Sequence, residues 1–303
     1  MNILILSRGA GLYSTQSLLR AGVLRGHDMR IVDHARCELL LGGGKPEILY
    51  EGRPLKGMQA IIPRIGASIT SYGAAVIRHF EAMGVFTVTG SAALQKARDK
   101  QRTLQHLAKA RLPVPRSFLT NQDSNLPLLI KLLHGPPVVI KLLESTHGMG
   151  VILAENMRTA VSIVRAFQRE GLTVMVQEFI KEAGGADIRA FVVGGRIVAS
   201  MRRQAQDGEF RSNLHRGATA VPEALSANER ELVLRATRIV GLDVAGVDFL
   251  RSRRGPLLME VNASPGLEGI EGVTGVDIAG HIIRWVEQKV RAGKLSPASK
   301  RKL

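Results

Sequence analysis

Near the C-terminus, two apolar segments at residues 245–250 and 256–261 flank the basic turn 251–255 and read as paired strands. Into this setting the sequence inserts Asp248, within V-D-F-L, and Glu260 and Asn262, within M-E-V-N-A. Residues two apart on a strand point to one face, so Glu260 and Asn262 project together. Asp248 can join them from the neighbouring strand. A solvent-facing ladder would tolerate three polar side chains without further purpose. Val247, Leu258, Met259 and Val261 instead mark the pair as buried, where an unpaired carboxylate is costly. Two carboxylates and an amide oxygen on an apolar scaffold make a hard-cation site suited to Mg²⁺ or Mn²⁺. A fold for this chain must therefore hold a charged face inside an apolar sheet.

The first ~90 residues alternate short apolar strands with helices. Strands are expected at 2–6, 29–32, 60–62 and 85–88, and helices at 15–24 and 72–83. That order implies a parallel sheet. One long helix is expected over 92–110, closed by Pro113 and Pro115. A mixed region follows: strands at 138–142 and 151–154 around a glycine-containing loop at 144–150, a helix at 157–170 and a strand at 174–178. Residues 186–193 and 196–201 read as a hairpin around Gly194-Gly195. A polar loop at 206–219, a helix at 227–240, the strand pair described above and a closing helix at 275–291 complete the chain.

The chain has 303 residues, room for two or three domains and a sizeable core. Its formal charge is +16, and six basic side chains lie from Lys289 onward with no acidic one. A soluble basic protein with a solvated tail explains this, and so does a polyanionic partner. Aromatic residues are only 4%, which argues against stacking platforms for single-stranded nucleic acid. Cys37 is the one cysteine, so a disulfide framework or CxxC metal site is excluded and a reducing cytoplasm is expected. No apolar run reaches the ~18 residues of a membrane span, and 3–6 is too short for a signal peptide.

Several motifs fail on spacing. Gly9-Ala-Gly11 lacks the third glycine of a dinucleotide fingerprint. Gly42-Gly43-Gly44-Lys45 is followed by Pro46, where a phosphate loop needs Ser or Thr. The eight histidines show no ligand spacing, and Cys37 reads as a small hydrophobe. Other segments suit a nucleotide. Lys141 ends the apolar strand V-V-I-K and can aim its ammonium at a phosphate. The loop 145–150 follows at once and can offer backbone N–H groups. The strand end V-Q-E-F-I offers Glu178 and backbone groups to adenine, with Asp187 nearby for ribose. Arg211-Ser212-Asn213, flanked by Arg203 and Arg216, looks like a clamp on a transferring phosphoryl group when set beside the metal face, although each arginine alone could be a solvated surface charge.

The order of lysine strand, glycine loop, hinge acid, arginine loop and D…E-x-N resembles the ATP-grasp superfamily. The chain is similar in particular to the RimK family, ligases that add glutamate to the C-terminus of small-subunit ribosomal protein six. The stretches that carry the likeness are I-P-R-I-G (62–66), A-R-D-K (97–100), Q-E-F-I-K-E-A (177–183), D-I-R (187–189), F-R-S-N-L-H-R-G (210–217), D-V-A-G-V-D (243–248) and M-E-V-N-A-S-P-G-L-E-G-I-E (259–271). The likeness runs from residue 1 to about 288, and the last two stretches are specific for the RimK-like branch. The glycine loop is sparser than the family's pattern, with His147 and Met149 between its few glycines, and the tail matches nothing in the pattern.

The resemblance implies an α/β fold: an N-terminal parallel-sheet pre-ATP-grasp domain at 1–95, then a two-subdomain ATP-grasp module at 96–288, split near 180, then a basic tail at 289–303. It implies that Lys141 and Lys100 hold ATP phosphate, Glu178 and Phe179 sit at the adenine hinge, and Asp187 binds nucleotide. Arg211, Ser212 and Asn213 would contact the phosphate end, with Arg211 and Arg203 acting on the phosphoryl group. Asp248, Glu260 and Asn262 would hold two Mg²⁺ or Mn²⁺ ions, with Glu260 bridging. The implied reaction is ATP-dependent, ADP-forming peptide ligation through an acyl phosphate. Its partners would be L-glutamate and the tail of ribosomal protein six, with ribosome or RNA attraction through the basic surface. A cytoplasmic protein without membrane association is expected, and a homo-oligomer is compatible with the sequence. Arg64, in I-P-R-I-G, lies at the C-terminal end of a buried-looking strand, where ligands of open parallel sheets collect. It is the candidate for gripping a substrate carboxylate, against the alternative of a domain strut. Three rival readings are a ligase acting on a small acid, a cofactor or an amino-group carrier protein, a non-catalytic ribosome- or RNA-binding protein with a degenerate nucleotide fold, and, weakest for want of the third fingerprint glycine, an oxidoreductase.

Overall fold

A computed structural model describes residues 1–122, 124–143, 150–212, 214 and 217–295. The chain opens with β1 (Asn2–Leu6), α1 (Tyr13–Leu24), β2 (Asp28–Val32), β3 (Cys37–Leu40), β4 (Glu47–Tyr50), β5 (Arg53–Pro54), β6 (Ala60–Pro63), α2 (Thr70–Ala82) and β7 (Phe86–Thr87). Strands β2-β1-β6-β7 form the expected parallel sheet. Its central strands are apolar on both faces because helices cover both sides. The small antiparallel sheet β3-β4-β5 was not expected. Its strands are short and partly polar, and they leave no clear period in the sequence.

Next come α3 (Ser91–Arg98) and α4 (Lys100–Lys109). The single helix expected over 92–110 is thus broken at Asp99. That residue leaves the helical region (φ −84°, ψ 97°), and its carboxylate accepts from the Arg102 backbone N–H as an N-cap. The break swings Arg98 and Lys100 onto different helices. A four-stranded antiparallel sheet then forms from β8 (Ser117–Leu119), β9 (Val138–Leu142), β10 (Val151–Ala154) and β11 (Val174–Glu178), in the order β10-β9-β11-β8. Helices α5 (Leu126–Leu132) and α6 (Met157–Arg169) pack on one face of it through Ile130, Ala160 and Val164. The other face presents Val139 and Lys141 from β9 and Met175 and Gln177 from β11.

The largest sheet runs β14-β13-β12-β15-β16, all antiparallel. It comprises β12 (Ala186–Val193), β13 (Arg196–Gln204), β14 (Thr219–Pro222), β15 (Val244–Ser252) and β16 (Gly255–Asn262), with α7 (Ala227–Val240) between β14 and β15. The β12–β13 hairpin turns at Gly194 and Gly195, both left-handed (φ 59° and 75°). A side chain at Gly194 would also collide with the Trp285 ring. One face of the sheet, with Ile188, Ala190, Val192, Val247 and Phe249, packs on α7. The other is divided. Phe191, Val193, Met201 and Val244 pack on α8 (Glu268–Thr274) and α9 (Ile278–Leu295). Further along the same face lie Asp187, Arg189, Arg203 and Asp248. No helix among the described residues is long and apolar enough to cross a membrane.

Helix α9 also returns to the N-terminal sheet. Glu287 accepts from Arg25 Nε and Nη2, both at 2.8 Å, and lies 2.8 Å from His27 Nε2. The bonds from Arg25 are the largest influence on this carboxyl and hold it at about 2, well below the usual 4.5. Glu287→Gln should cost about 1–2 kcal/mol at pH 7, a fall in Tm of roughly 2–5 °C. A depressed carboxyl stabilises the fold above its unfolded pKa and loses that contribution as pH falls towards the folded value. The Tm gap between parent and variant should therefore be full at pH 6 and shrink between pH 4.5 and about 2, as calorimetry would show.

Candidate active site

Strand register assembles the charged face. Asp187 lies opposite Arg203 on β12 and β13, Arg189 opposite Asp248 on β12 and β15, and Asp248 opposite Glu260 on β15 and β16. Gly246 stands opposite Asn262 two pairs further on, on the same face. A bulge after Asp248 leaves Met259 without a partner, so Leu258 pairs with Phe249 on the core face while Glu260 pairs with Asp248 on the charged face. Without that extra residue, Leu258 and Glu260 would share a face. A Cβ at Gly246 would meet Pro265 Cβ at 2.8 Å, so the glycine lets the turn after β16 close against β15.

Asp248 is 4% exposed. It accepts from Arg189 Nε at 2.7 Å, from Arg189 Nη2 at 2.5 Å and from Arg203 Nη2 at 3.0 Å. Burial pushes its pKa up, but the two guanidinium groups outweigh burial and hold it at about 2. Arg203 also forks onto Asp187, with Nε at 2.7 Å and Nη2 at 2.6 Å. Burial dominates at Asp187 and raises its pKa, against the pull of Arg203 and a bond from Ser212. The buried arginine keeps its charge, since the two carboxylates more than offset its own desolvation. Arg203 thus lies beneath Asp248, between two acids, and Asp187 faces Arg203 with both oxygens. Arg189 was not singled out as a site residue from sequence. Its signal was the D-I-R spacing, which places Arg189 on the face of Asp187.

Among the described residues no group of three His, Cys, Asp or Glu could hold a metal ion. The candidate set is two carboxylates and an amide. Its chemistry fits a hard cation: Asp248 is fixed in its ionised form, and the Asn262 Nδ2 is buried without a partner. That amide is committed to no described protein group.

Across the cleft, Lys141 on β9 donates to Gln177 Oε1 at 2.6 Å, and Gln177 in turn donates to Ser117 Oγ at 2.9 Å. Burial lowers the Lys141 pKa to about 8, with Glu260 pulling it up and Lys100 pushing it down. The ammonium thus feels both Glu260 of the charged face and Lys100, the first residue of α4. Glu178 closes β11: its Oε1 accepts from the Arg116 N–H at 2.7 Å and from Arg254 Nη2 at 2.6 Å. The pair with Arg254 links the β15–β16 turn to the smaller sheet. Phe179 packs edge-on against Phe210, centroids 6.4 Å apart at 80°. Arg211 covers the Phe210 ring at 5.5 Å and pairs with Glu209 at 2.6 Å. It also reaches the Val151 carbonyl at 3.3 Å, so the arginine loop touches the strand that follows the glycine loop. Asn213, Arg216 and the glycine-loop residues 144–149 lie outside the described residues.

Arg64 follows β6 and donates to the Pro265 carbonyl at 2.7 Å, on the turn after the metal face. Burial lowers its pKa to about 10, with Arg98 adding repulsion, and it stays cationic at neutral pH. Arg98 donates to the Ile65 carbonyl and lies in the field of Glu260.

Comparison with known proteins gives a consistent picture. Residues 1–94 match the RimK PreATP-grasp domain, and residues 97–286 match the RimK-like ATP-grasp domain. The chain is 53% identical over 291 residues to a probable alpha-L-glutamate ligase of Alcanivorax borkumensis, covering 96% of each chain. Among solved structures it resembles a RimK domain protein ATP-grasp from Sphaerobacter thermophilus, with TM-score 0.69, 24% identity and coverage of 95% and 100%. It also resembles the ATP-grasp ligase PsnB complexed with minimal precursor, Mg and ADP, with TM-score 0.73, 20% identity and coverage of 96% and 98%. At these identities the solved structures speak for the fold.

Mn²⁺ binding followed by electron paramagnetic resonance tests the metal face. With ADP present, Glu260→Gln should weaken Mn²⁺ affinity by more than about 10-fold, and Arg189→Met, which frees Asp248 from its guanidinium, by about 10-fold. An unchanged affinity in Glu260→Gln would remove the residue from the set. Lys141→Ala should weaken ATP affinity about 10-fold, since a charge-assisted bond is worth about 1.5–3 kcal/mol, while leaving Mn²⁺ binding without nucleotide unchanged.

Proposed function

The chain belongs to the RimK-like ATP-grasp family, and from that premise we propose that this ATP-dependent ligase adds L-glutamate to the C-terminal carboxylate of a protein, small-subunit ribosomal protein six. The end-to-end likeness to a probable alpha-L-glutamate ligase carries the choice of glutamate. The acceptor rests on the family resemblance, and the protein's charge of +16 suits a tail that grows more acidic with each glutamate. It would meet its ribosomal acceptor in the cytoplasm.

In the reaction, an oxygen of the acceptor carboxylate attacks the γ-phosphorus of ATP, and the bond to ADP breaks. The α-amine of glutamate then attacks the acyl carbon, loses a proton and expels phosphate. No enzyme nucleophile is required. We assign Asp248, Glu260 and Asn262 to hold Mg²⁺ or Mn²⁺, with Glu260 the bridging ligand of a pair. Divalent cations there would neutralise charge on the transferring phosphoryl group. Lys141 brings an ammonium to the phosphates, and Lys100 approaches the same place from the start of α4. Glu178 fixes the end of β11, so backbone groups there and the Phe179–Phe210 pair can receive the adenine. Arg203 is a positioning residue, since it and Arg189 keep Asp248 ionised and aimed. Asp187 acts on the nucleotide side through Arg203 and Ser212. Arg211, Ser212 and Asn213 belong to the loop that shields the acyl phosphate from water, together with the glycine loop. The proposed division of the chain places the N-terminal domain at 1–95 and the ATP-grasp module at 96–288.

Incubation with ATP, Mg²⁺, L-glutamate and purified ribosomal protein six, read by intact-mass spectrometry, tests this. Stepwise glutamate addition with one ADP per glutamate is expected, and none on acceptor lacking its C-terminal residues. Glutamate-dependent ADP release on small acids but not on the protein would favour the small-acceptor reading instead.

A further inference from the structure

Arg64 and Arg98 come from different elements, the end of β6 and the end of α3, and stand side by side: Arg64 donates to the turn that follows β16, and Arg98 to the carbonyl of Ile65, the residue after Arg64. Neither forms an ion pair with a carboxylate among the described residues. Among the described residues each has only a backbone carbonyl as hydrogen-bond partner: Pro265 for Arg64 and Ile65 for Arg98. One such bond uses one of five donors. The Arg98 Nε is buried with no partner among the described residues, and so are the Asn262 Nδ2 and the Ser264 Oγ. Burial dominates the lowered pKa of both guanidiniums, and at Arg64 the neighbouring Arg98 adds to it. Two like charges are therefore held together in a desolvated place, against repulsion, with donors left over.

A pair of domain struts does not need this arrangement. A strut could be neutral, and an uncompensated buried charge costs several kcal/mol. An anion that arrives with the substrate would remove the repulsion and satisfy the donors. The side chains are not sealed in, since both residues keep part of their surface accessible. The place also fits: Arg64 stands at the C-terminal end of the parallel sheet, and Arg98 lies in the field of Glu260. A planar guanidinium matches the two oxygens of a carboxylate, whereas the compact ammonium of Lys141 suits phosphate.

We propose that Arg64 and Arg98 form a two-arginine subsite that grips a non-reacting carboxylate of a substrate beside the metal face. Ser264 and Asn262 supply neutral donors at its rim. The proposal rests on the ligase reading. Such a carboxylate has two sources: the incoming glutamate, which carries two, or the acidic side chains of the acceptor tail. The grip would leave the reacting group free to move while fixing the molecule that bears it.

The test separates the subsite from the ligase reading. Glutamate-dependent ADP release by the parent enzyme checks the latter. The subsite is read by calorimetry on the parent, Arg64→Lys and Arg98→Lys, each loaded with AMPPNP and Mg²⁺. The titrants are L-glutamate and a peptide ending in glutamates. In both variants the Kd for one titrant should rise about 10-fold or more, while AMPPNP affinity and Tm stay near the parent's. The titrant affected identifies the source of the carboxylate. Combining the two substitutions should cost less than the product of the single effects, because both arginines hold one group. Unchanged Kd values for both titrants would overturn the subsite, as would a fall in Tm with both Kd values held, or a parent that binds neither titrant.

Discussion

The buried ladder of Arg203, Asp187, Arg189 and Asp248 fixes the rest of the site. Four charges in the interior of a sheet are tolerable only because each guanidinium forks onto a carboxylate across a strand boundary. Removing any one would leave its partner charged and desolvated. The ladder spans β13, β12 and β15, so it also clamps their register. Since β16 pairs with β15, Glu260 and Asn262 inherit their positions from it. Asp248, the last acid of the ladder, is at once a structural ion pair and a candidate cation ligand. The two guanidinium groups that keep it ionised form a second layer behind the candidate cation ligands.

The smaller sheet contributes one half-buried lysine. Lys141 is held on β9 by Gln177, which β11 supplies and Ser117 of β8 orients. Desolvation makes its ammonium an eager partner for an anion. The two sheets are linked by Arg254 and Glu178 at one end and by Arg211 with the Val151 carbonyl at the other. Arg64, at the end of β6, and Arg98, at the end of α3, each donate to a backbone carbonyl, that of Pro265 and that of Ile65. Three sheets thus each bring basic side chains towards the candidate site: Lys141 from the smaller sheet, Arg64 from the end of β6, and Arg189 and Arg203 from the largest, which also carries Asp187, Asp248 and Glu260.

Much of this was legible in the chain itself. Alternation of period two placed Glu260 and Asn262 on one face, and the apolar setting of Asp248 marked it as unusual. The alternating strands and helices of the first 90 residues dictated a parallel sheet, and Gly194-Gly195 dictated a hairpin. These are local facts, set by steric limits on the backbone and by the need to bury apolar side chains. The tertiary structure decided what depends on distant partners. It broke the helix expected over 92–110 at Asp99, whose carboxylate caps the second half and leaves Arg98 at the end of the first, bonded to Ile65. It drew Arg203 down between two acids, although sequence suggested a phosphate clamp, because a guanidinium between two buried carboxylates cannot leave without exposing both. It added Arg189, whose meaning appears only when β15 lies beside β12. It brought Arg98 beside Arg64, 34 positions away, where Arg98 donates to the carbonyl of Ile65, the residue after Arg64. Local pattern determines which face of a strand a side chain takes. Charge pairing between strands is set by register and packing, and no window of sequence contains both partners.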